Sequence, residues 1–285
     1  MNLDFFEGLG LYHGDGGERN FTSKTPELIE RIICWVRKYK LAPSIHAYII
    51  YSAGHDTRRM RNLLERYQIP YRVYEYPHFT AQVMLQFPRR LSIPSVKPTT
   101  SEEIAAYLRG TFAADGYVKH STKYQYQTLE SLKISFNQNS EKQRAIKISQ
   151  YLARLQIKSR ISITKHEGKI IITGYNNFIR FLKYDLIAFP RYKRRKFIRL
   201  LRNAKMHSSV YISERREIFK GNQRKLARKI GCSQSSVSLW KSGKCGIKIS
   251  HLEKIVPLEN VTIERLFIRT EEIEKSLIPI ILSTW

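Results

Sequence analysis

Two aspartates, Asp15 and Asp115, stand at matching points in two similar stretches of the chain. One stretch is Phe5-Phe6-Glu7-Gly8-Leu9-Gly10-Leu11-Tyr12-His13-Gly14-Asp15-Gly16, the other Ala106-Tyr107-Leu108-Arg109-Gly110-Thr111-Phe112-Ala113-Ala114-Asp115-Gly116. A lone Asp-Gly is an ordinary turn. Two in register, each after an apolar run and before a glycine that stops a helix, read as an internal duplication. Gly8, Gly10 and Gly14 in one copy, and Ala106, Gly110 and Ala113 in the other, would let two helix backbones approach closely. Both carboxylates then sit side by side at helix ends, where partial negative charge and mutual repulsion disfavour their ionisation. A divalent cation such as Mg²⁺ would compensate, since it takes oxygen ligands from a few carboxylates and bridges to phosphates. Its chemistry there would be phosphodiester hydrolysis, by activating water and stabilising the leaving oxygen.

The elements that must carry these aspartates are clearest around the second copy. Thr100 with Glu103 three residues later makes a capping box. Alternating residues over Tyr124–Phe136 and Lys158–Ile172 read as strands. Ser140, with Gln143, is expected to cap a helix to about Leu155, and a further helix is expected near Asn177. The order is helix, hairpin, helix, hairpin, helix. In the first half, Thr25-Pro26 opens a helix through about Tyr39. A strand follows over His46–Tyr51, a helix over Thr57–Tyr67, and strands over Tyr71–Tyr76 and Gln82–Phe87. Its first hairpin looks truncated. The Pro-rich, polar stretch Ile93–Thr99 reads as a linker and places a boundary near residue 98.

Fifty Lys and Arg against 24 Asp and Glu give a net charge of +26. So large an excess implies a polyanionic partner, with nucleic acid the obvious one. Residues 190–205 are especially basic, holding Arg191, Lys193, Arg194, Arg195, Lys196, Arg199, Arg202 and Lys205. Such a cluster is expected to track phosphates. The cysteines Cys34, Cys232 and Cys245 have no C-x-x-C spacing, which suggests neither a disulfide framework nor a zinc site and fits a reducing compartment. The acidic N-terminus does not resemble a signal peptide, and the apolar run Leu277–Leu282 is too short to span a bilayer. A soluble, cytoplasmic protein is expected.

With these motifs in view, the chain resembles the monomeric, double-motif LAGLIDADG homing endonucleases over roughly residues 3 to 200. Gly8–Gly16 and Leu108–Gly116 match the nine-residue motif twice. The resemblance implies an α+β fold: a pseudo-symmetric, duplicated αββαββα unit with antiparallel sheets forming a DNA-binding saddle. It implies that Asp15 and Asp115 are catalytic and bind the metal, with the backbone carbonyls of Gly14 and Ala114 joining them. Gln138, at the end of Leu132–Ser140, matches the family's polar residue beside the scissile phosphate, and Ser23 is its weaker counterpart in the first half. Lys193, after Phe189-Pro190, stands near the family's basic active-site residue, and Phe87-Pro88-Arg89-Arg90 echoes that stretch. Lys133, Ser135, Arg194, Arg195 and Lys196 are expected to contact DNA.

Beyond this unit, Asn222–Gly231 and Cys232–Gly243 resemble a phage-repressor helix-turn-helix, followed by apolar spacing at Ile249, Leu252, Ile255 and Leu258. Leu226, Ala227, Ile230, Val237 and Trp240 would pack its helices, with Gly231 at the turn. Ser233, Gln234, Ser235 and Ser238 would face the groove. Three modules are expected, at 1–98, 99–205 and 213–285. The expected activity is metal-dependent cleavage of double-stranded DNA by a monomer. The alternatives are a non-cleaving transcription regulator and an intron-splicing RNA maturase, for which nothing specific speaks.

Overall fold

The computed structural model describes residues 2–121, 127–137, 139–164, 167–207, 209–210, 219 and 221–258. Gln138, the start of the strand expected from Tyr124, residues 213–218 and 259–285 of the expected third module, and the run Leu277–Leu282 lie outside these residues. The chain divides into two compact units. One comprises Met1–Tyr117, Lys133–Ile171 and Tyr184–Arg195; the other comprises Val118–Leu132, Ile172–Lys183 and Lys196–Trp285.

The first motif is helix α1 (Leu3–Asp15), started by Asn2, whose side chain accepts from the Asp4 amide. The second is α4 (Ser101–Asp115), whose capping box is formed as expected: the Thr100 hydroxyl accepts from Glu103 N while the Glu103 carboxylate accepts from Thr100 N. Both helices are buried almost all round through their middles, over residues 5–12 apart from Glu7 and over residues 104–113 apart from Arg109, and emerge only at their ends. Their stops work differently from expectation. Gly16 and Gly116 have ordinary negative φ, but a Cβ would lie 2.2 Å from Tyr12 O and 2.4 Å from Phe112 O, so the glycines are required by crowding rather than by a left-handed turn.

Between them the chain forms β1 (Asn20–Ser23), α2 (Pro26–Lys38), β2 (His46–Tyr51), α3 (Arg58–Arg66), β3 (Tyr71–Glu75) and β4 (Gln82–Gln86). The sheet order is β1-β4-β2-β3. β1 pairs antiparallel with β4, not with β2, and β2 pairs parallel with β3. The short β1 is thus the remnant of the truncated hairpin: α2 replaces its return strand, and α3 supplies the crossover a parallel pair needs. The first half therefore departs from a plain αββαββα order. Ala47, Ile49, Val83, Leu85 and Phe21 fill the covered face.

The second half follows that order, with β5 (Gly116–Ser121), β6 (Thr128–Phe136), α5 (Lys142–Arg154), β7 (Arg160–Ile163), β8 (Gly168–Ile172) and α6 (Tyr175–Lys183). Its sheet runs β5-β6-β8-β7, with β7 and β8 antiparallel. Helix α5 is not capped by Ser140: Glu141 is the N-cap residue, and its carboxylate turns back to accept from Asn137 N at 2.7 Å. Helix α7 (Arg191–His207) carries the basic segment.

In the second unit, β9 (Ser209–Val210) pairs with β10 (Ile247–Lys248) beside three helices: α8 (Gln223–Ile230), α9 (Gln234–Ser242) and α10 (Ile249–Leu258). Asn222 caps α8 by accepting from Arg224 N and Lys225 N, and Gly231 turns the chain at φ +78°. Leu226, Ala227, Ile230, Val237 and Trp240 are all buried together with Leu252 and Ile255. Among the described residues, no helix is long and apolar enough to cross a membrane.

Candidate functional site

Helices α1 and α4 meet through their glycines. A Cβ on Gly10 would lie 2.0 Å from Tyr107 O, and one on Gly110 would lie 2.0 Å from Glu7 O. Main chain therefore touches main chain at both points. Thr111, fully buried, donates its hydroxyl hydrogen bond to Tyr107 O at 3.0 Å and lies 3.4 Å from Gly10 O, bridging the two helices at the same level. Glu7 on α1 accepts from Arg109 on α4 at 2.9 Å and from Arg31 on α2 at 2.5 Å. Gly8, in contrast, faces away from α4: its missing side chain makes room for Trp35, whose indole donates to Phe5 O at 3.1 Å.

This contact continues to the helix ends. A Cβ on Gly14 would meet the Ala114 methyl at 2.3 Å and Asp115 Oδ2 at 2.9 Å, so the last turns of α1 and α4 are in contact and the two motif aspartates end them side by side. Burial and the neighbouring Asp115 raise the Asp15 carboxyl to a pKa of about 7. Burial also raises that of Asp115, and Arg144 acts against it.

Two cations oppose this accumulated negative charge. Lys193, near the start of α7 and buried, donates to Ala113 O at 2.6 Å, Ala114 O at 3.2 Å and Phe112 O at 3.3 Å. It thereby caps the carbonyl end of α4, where a cation is favoured. Desolvation lowers its pKa to about 8, although both aspartates pull the other way. Arg144, in the first turn of α5, donates to Asp115 Oδ2 at 3.0 Å and to Glu141 Oε1 at 2.6 Å, with both side chains of the Asp115 pair largely shielded from solvent. Nothing in the sequence marked Arg144, because it lies on a different helix and outside both motifs.

His13 does not add a third positive charge. Its Nδ1 lies 3.0 Å from the Tyr107 hydroxyl, and burial with Arg144 and Lys147 nearby lowers its pKa to about 4, so the ring is neutral at neutral pH. A cavity of about 1030 Å³ opens beside this pair, bordered by His13, Tyr107, Arg144 and Lys147 and by the linker residues Pro94 to Lys97.

The structure brings together Gly14, Asp15, Ala114, Asp115 and Lys193 of the residues read from the sequence, and it leaves others apart. Ser135 donates to Glu167 Oε1 at 3.1 Å, and Lys133 lies over the Tyr117 ring at 5.8 Å. Arg194 is ion-paired with Asp185, whereas Arg195 is exposed and Lys196 half-buried. In the second unit Gln234, Ser235 and Ser238 are exposed, but Ser233 is the N-cap of α9 and accepts from Ser236 N at 3.1 Å. Ser23, the weak first-half candidate, is buried and accepts from Thr25 N. Exposed Arg224, Lys225, Arg228 and Lys229 line α8.

As a metal site, the donors are hard oxygens of the kind Mg²⁺ prefers. Among the described residues there is no group of three or more His, Cys, Asp and Glu side chains placed to hold an ion. Two carboxylates suffice for Mg²⁺, which keeps several waters. Of the four expected ligand oxygens, however, Ala114 O already accepts from Lys193 and Asp115 Oδ2 from Arg144.

Residues 102–184 match the family described as the LAGLIDADG-like domain. Among solved structures, full-length DUF199/WhiA from Thermatoga maritima is similar at 14% identity and a TM-score of 0.46, over 90% of this chain and 91% of that one. I-DmoI, solved in complex with DNA and Mn, is similar at 16% identity and a TM-score of 0.37, over 66% of this chain and all of that one. No protein of curated function matches the sequence.

Proposed function

We propose that the protein binds double-stranded DNA and hydrolyses its phosphodiester bonds at the Asp15–Asp115 pair with a divalent cation, Mg²⁺ being the expected one. The observation that carries this reading is the glycine-mediated contact of α1 and α4, which ends both helices in adjacent, half-buried carboxylates. Asp15 and Asp115 would hold the cation, with Gly14 O and Ala114 O as further oxygen donors. When bound, the cation supplies an activated water and charge stabilisation for the leaving oxygen. Lys193 holds the end of α4 in place by its three carbonyl contacts. With its pKa lowered to about 8, it is also suited to exchange a proton near neutral pH. Gln138 is the proposed polar residue beside the scissile phosphate.

Duplex contacts are assigned to Lys133 and Ser135 on β6, to Arg194, Arg195 and Lys196 on α7, and to the exposed Gln234, Ser235 and Ser238 of α9 with Ser233 at its start. In this reading α8 and α9 form a helix-turn-helix that enters the major groove. Three modules, at 1–98, 99–205 and 213–285, act in one monomeric chain. The test is cleavage of a randomised duplex library in Mg²⁺ beside binding without it. Asp15→Asn and Asp115→Asn should each abolish cutting and retain binding. Full cutting by both variants would refute the assignment.

A second reading is a non-cleaving DNA-binding regulator. Arg144 and Lys193 favour it, because they neutralise the helix-end charge without a metal. Binding by the unaltered protein with no cleavage at any Mg²⁺ concentration would select it.

A further inference from the structure

We propose that the aromatic row Tyr48, Tyr74, Tyr76 and Phe79, on the open face of the first sheet, is a stacking platform for unpaired bases of single-stranded DNA. The inference rests on the nucleic-acid-binding part of the function above but not on cleavage.

The row follows from strand register. In β2, Ala47 and Ile49 point into the core, which sends Tyr48 to the open face; the pairing of Ile50 with Tyr74 places Tyr74 on that face too. Tyr76, two residues on, continues it, and the chain then turns through His78 so that Phe79 joins the end. Successive ring centroids lie 5.8, 6.4 and 6.1 Å apart, with Tyr48 and Tyr74 tilted by 34° and Tyr74 and Tyr76 by 30°. The outer three rings stay 36%, 50% and 47% exposed.

Cross-strand ring pairs can exist only to stabilise a sheet. That role accounts for Tyr48 against Tyr74, and for Tyr76, whose N–H still donates to Tyr51 O at 2.8 Å, but not for Phe79, which lies past the last main-chain bond of β2 to β3 and extends the row beyond the paired backbone. The charge of the face also points to a ligand. Arg72 lies beside Tyr48 and Tyr74, and among the described residues no carboxylate shares this face within the four strands, Glu75 being turned to the other side where Tyr51 donates to it. On a chain of net charge +26, a face that carries an arginine and no carboxylate suits a phosphate backbone.

Rings select the unpaired form of that polymer. A duplex presents base edges in its grooves, which polar side chains read. Base faces become available only when bases are unstacked, and they then stack on aromatic side chains with little sequence preference. Four rings in a row, with an arginine beside them, match the second ligand and not the first.

The test measures anisotropy of fluorescein-labelled oligothymidylate, of oligouridylate and of a mixed-sequence duplex against the full-length protein. Tyr74→Ala and Tyr76→Ala should each weaken oligothymidylate binding roughly tenfold, and the double variant more, because stacking is lost ring by ring. The double leucine variant, Tyr74→Leu with Tyr76→Leu, should be as weak as the double alanine variant, since it keeps apolar area without a ring. Duplex affinity should fall much less than oligothymidylate affinity, because a duplex offers no unstacked base face to the rings. Both rings are surface side chains, and an unchanged circular dichroism spectrum and melting temperature will show that the sheet persists. Unchanged oligothymidylate affinity in the folded double variant would overturn the proposal, as would equal losses on single strand and duplex. Tighter, ring-dependent binding of oligouridylate would overturn the assignment to DNA. Failure of the unaltered protein to bind any of the three would overturn the proposed function as well.

Discussion

Replacing Gly110 by alanine tests whether main-chain contact between α1 and α4 is what pairs the two aspartates. The new Cβ would lie 2.0 Å from Glu7 O and 2.6 Å from Leu11 N, whereas real Cβ atoms essentially never come within 3.0 Å of such neighbours. Both obstacles are backbone, so no side chain can swing aside, and α1 must move by about 1 Å to reach even the tightest tolerated contact. Overpacking of this kind costs about 1–3 kcal/mol, with rigid neighbours placing it at the upper end. Alanine in place of glycine inside a helix returns about 1 kcal/mol. A net loss of about 2 kcal/mol should lower the melting temperature by about 4–8 °C. A 1 Å displacement of reacting groups also costs about a hundredfold in rate, so cleavage should fall by that order while DNA binding persists. Calorimetry and a plasmid-cleavage time course read the two effects. Gly221→Ala is the control, since nothing lies within 4 Å of the added methyl. A Gly110→Ala protein that melts at or above the unaltered temperature would refute the close-contact argument, and one that melts lower but cuts normally would separate the contact from the chemistry.

Asp15→Asn should change how stability depends on pH. The folded pKa of about 7 lies above the ordinary 3.8, so the folded state binds the extra proton and the unaltered protein loses stability as pH rises from about 4 to 7. Urea denaturation in the presence of a chelator should show the variant gaining on the unaltered protein through that window and holding a constant advantage above it; parallel curves would contradict the shift. Arg144→Ala leaves Asp115 without its ion-pair partner and should destabilise the metal-free protein by about 1–3 kcal/mol, the cost of losing a charge-assisted hydrogen bond from a partly buried carboxylate. Added Ca²⁺ or Mg²⁺ should restore more of the variant's melting temperature than it adds to the unaltered protein, and equal metal effects would count against a metal site at Asp115. Changing Arg194, Arg195 and Lys196 together to alanine should make the log–log salt dependence of duplex binding shallower by about 0.9 for each phosphate no longer neutralised. An unchanged slope would remove α7 from the interface.

What could be read from the sequence was whatever local pattern controls. The repeated apolar stretch before Asp-Gly, the Thr100–Glu103 capping box and the alternation in β2, β3 and β4 each encode their element within a few residues, and each element formed where expected. Pairing between elements was less legible. The short strand at Asn20–Ser23 gives no sign that its partner is the distant β4, or that the parallel β2–β3 pair would take over the sheet edge. The small residues of the first motif promised a close neighbour but could not say which, and Gly8 turned out to admit Trp35 instead of α4. Arg144 was invisible for the same reason. Its role depends on the direction in which α5 leaves β6, and that is set by tertiary packing.

That arginine changes how the carboxylate pair is understood. Two half-buried acids at two helix ends create a need for positive charge, and the sequence alone suggested a metal ion as its source. The structure supplies Lys193 at the carbonyls of α4 and Arg144 at Asp115, two cations for two motif carboxylates. Yet compensation is incomplete. Glu141 takes part of the Arg144 guanidinium, Lys193 directs its hydrogen bonds to main-chain oxygens, and Asp15 keeps a pKa raised to about 7. The unmet demand is therefore concentrated on Asp15, the carboxylate farther from a direct ion pair. A cation entering the site would gain most there, and would compete with Arg144 only for its second ligand. In the proposed metal-dependent reading, Arg144 would therefore tune the affinity of the pair for a cation, while the glycine contact sets its geometry.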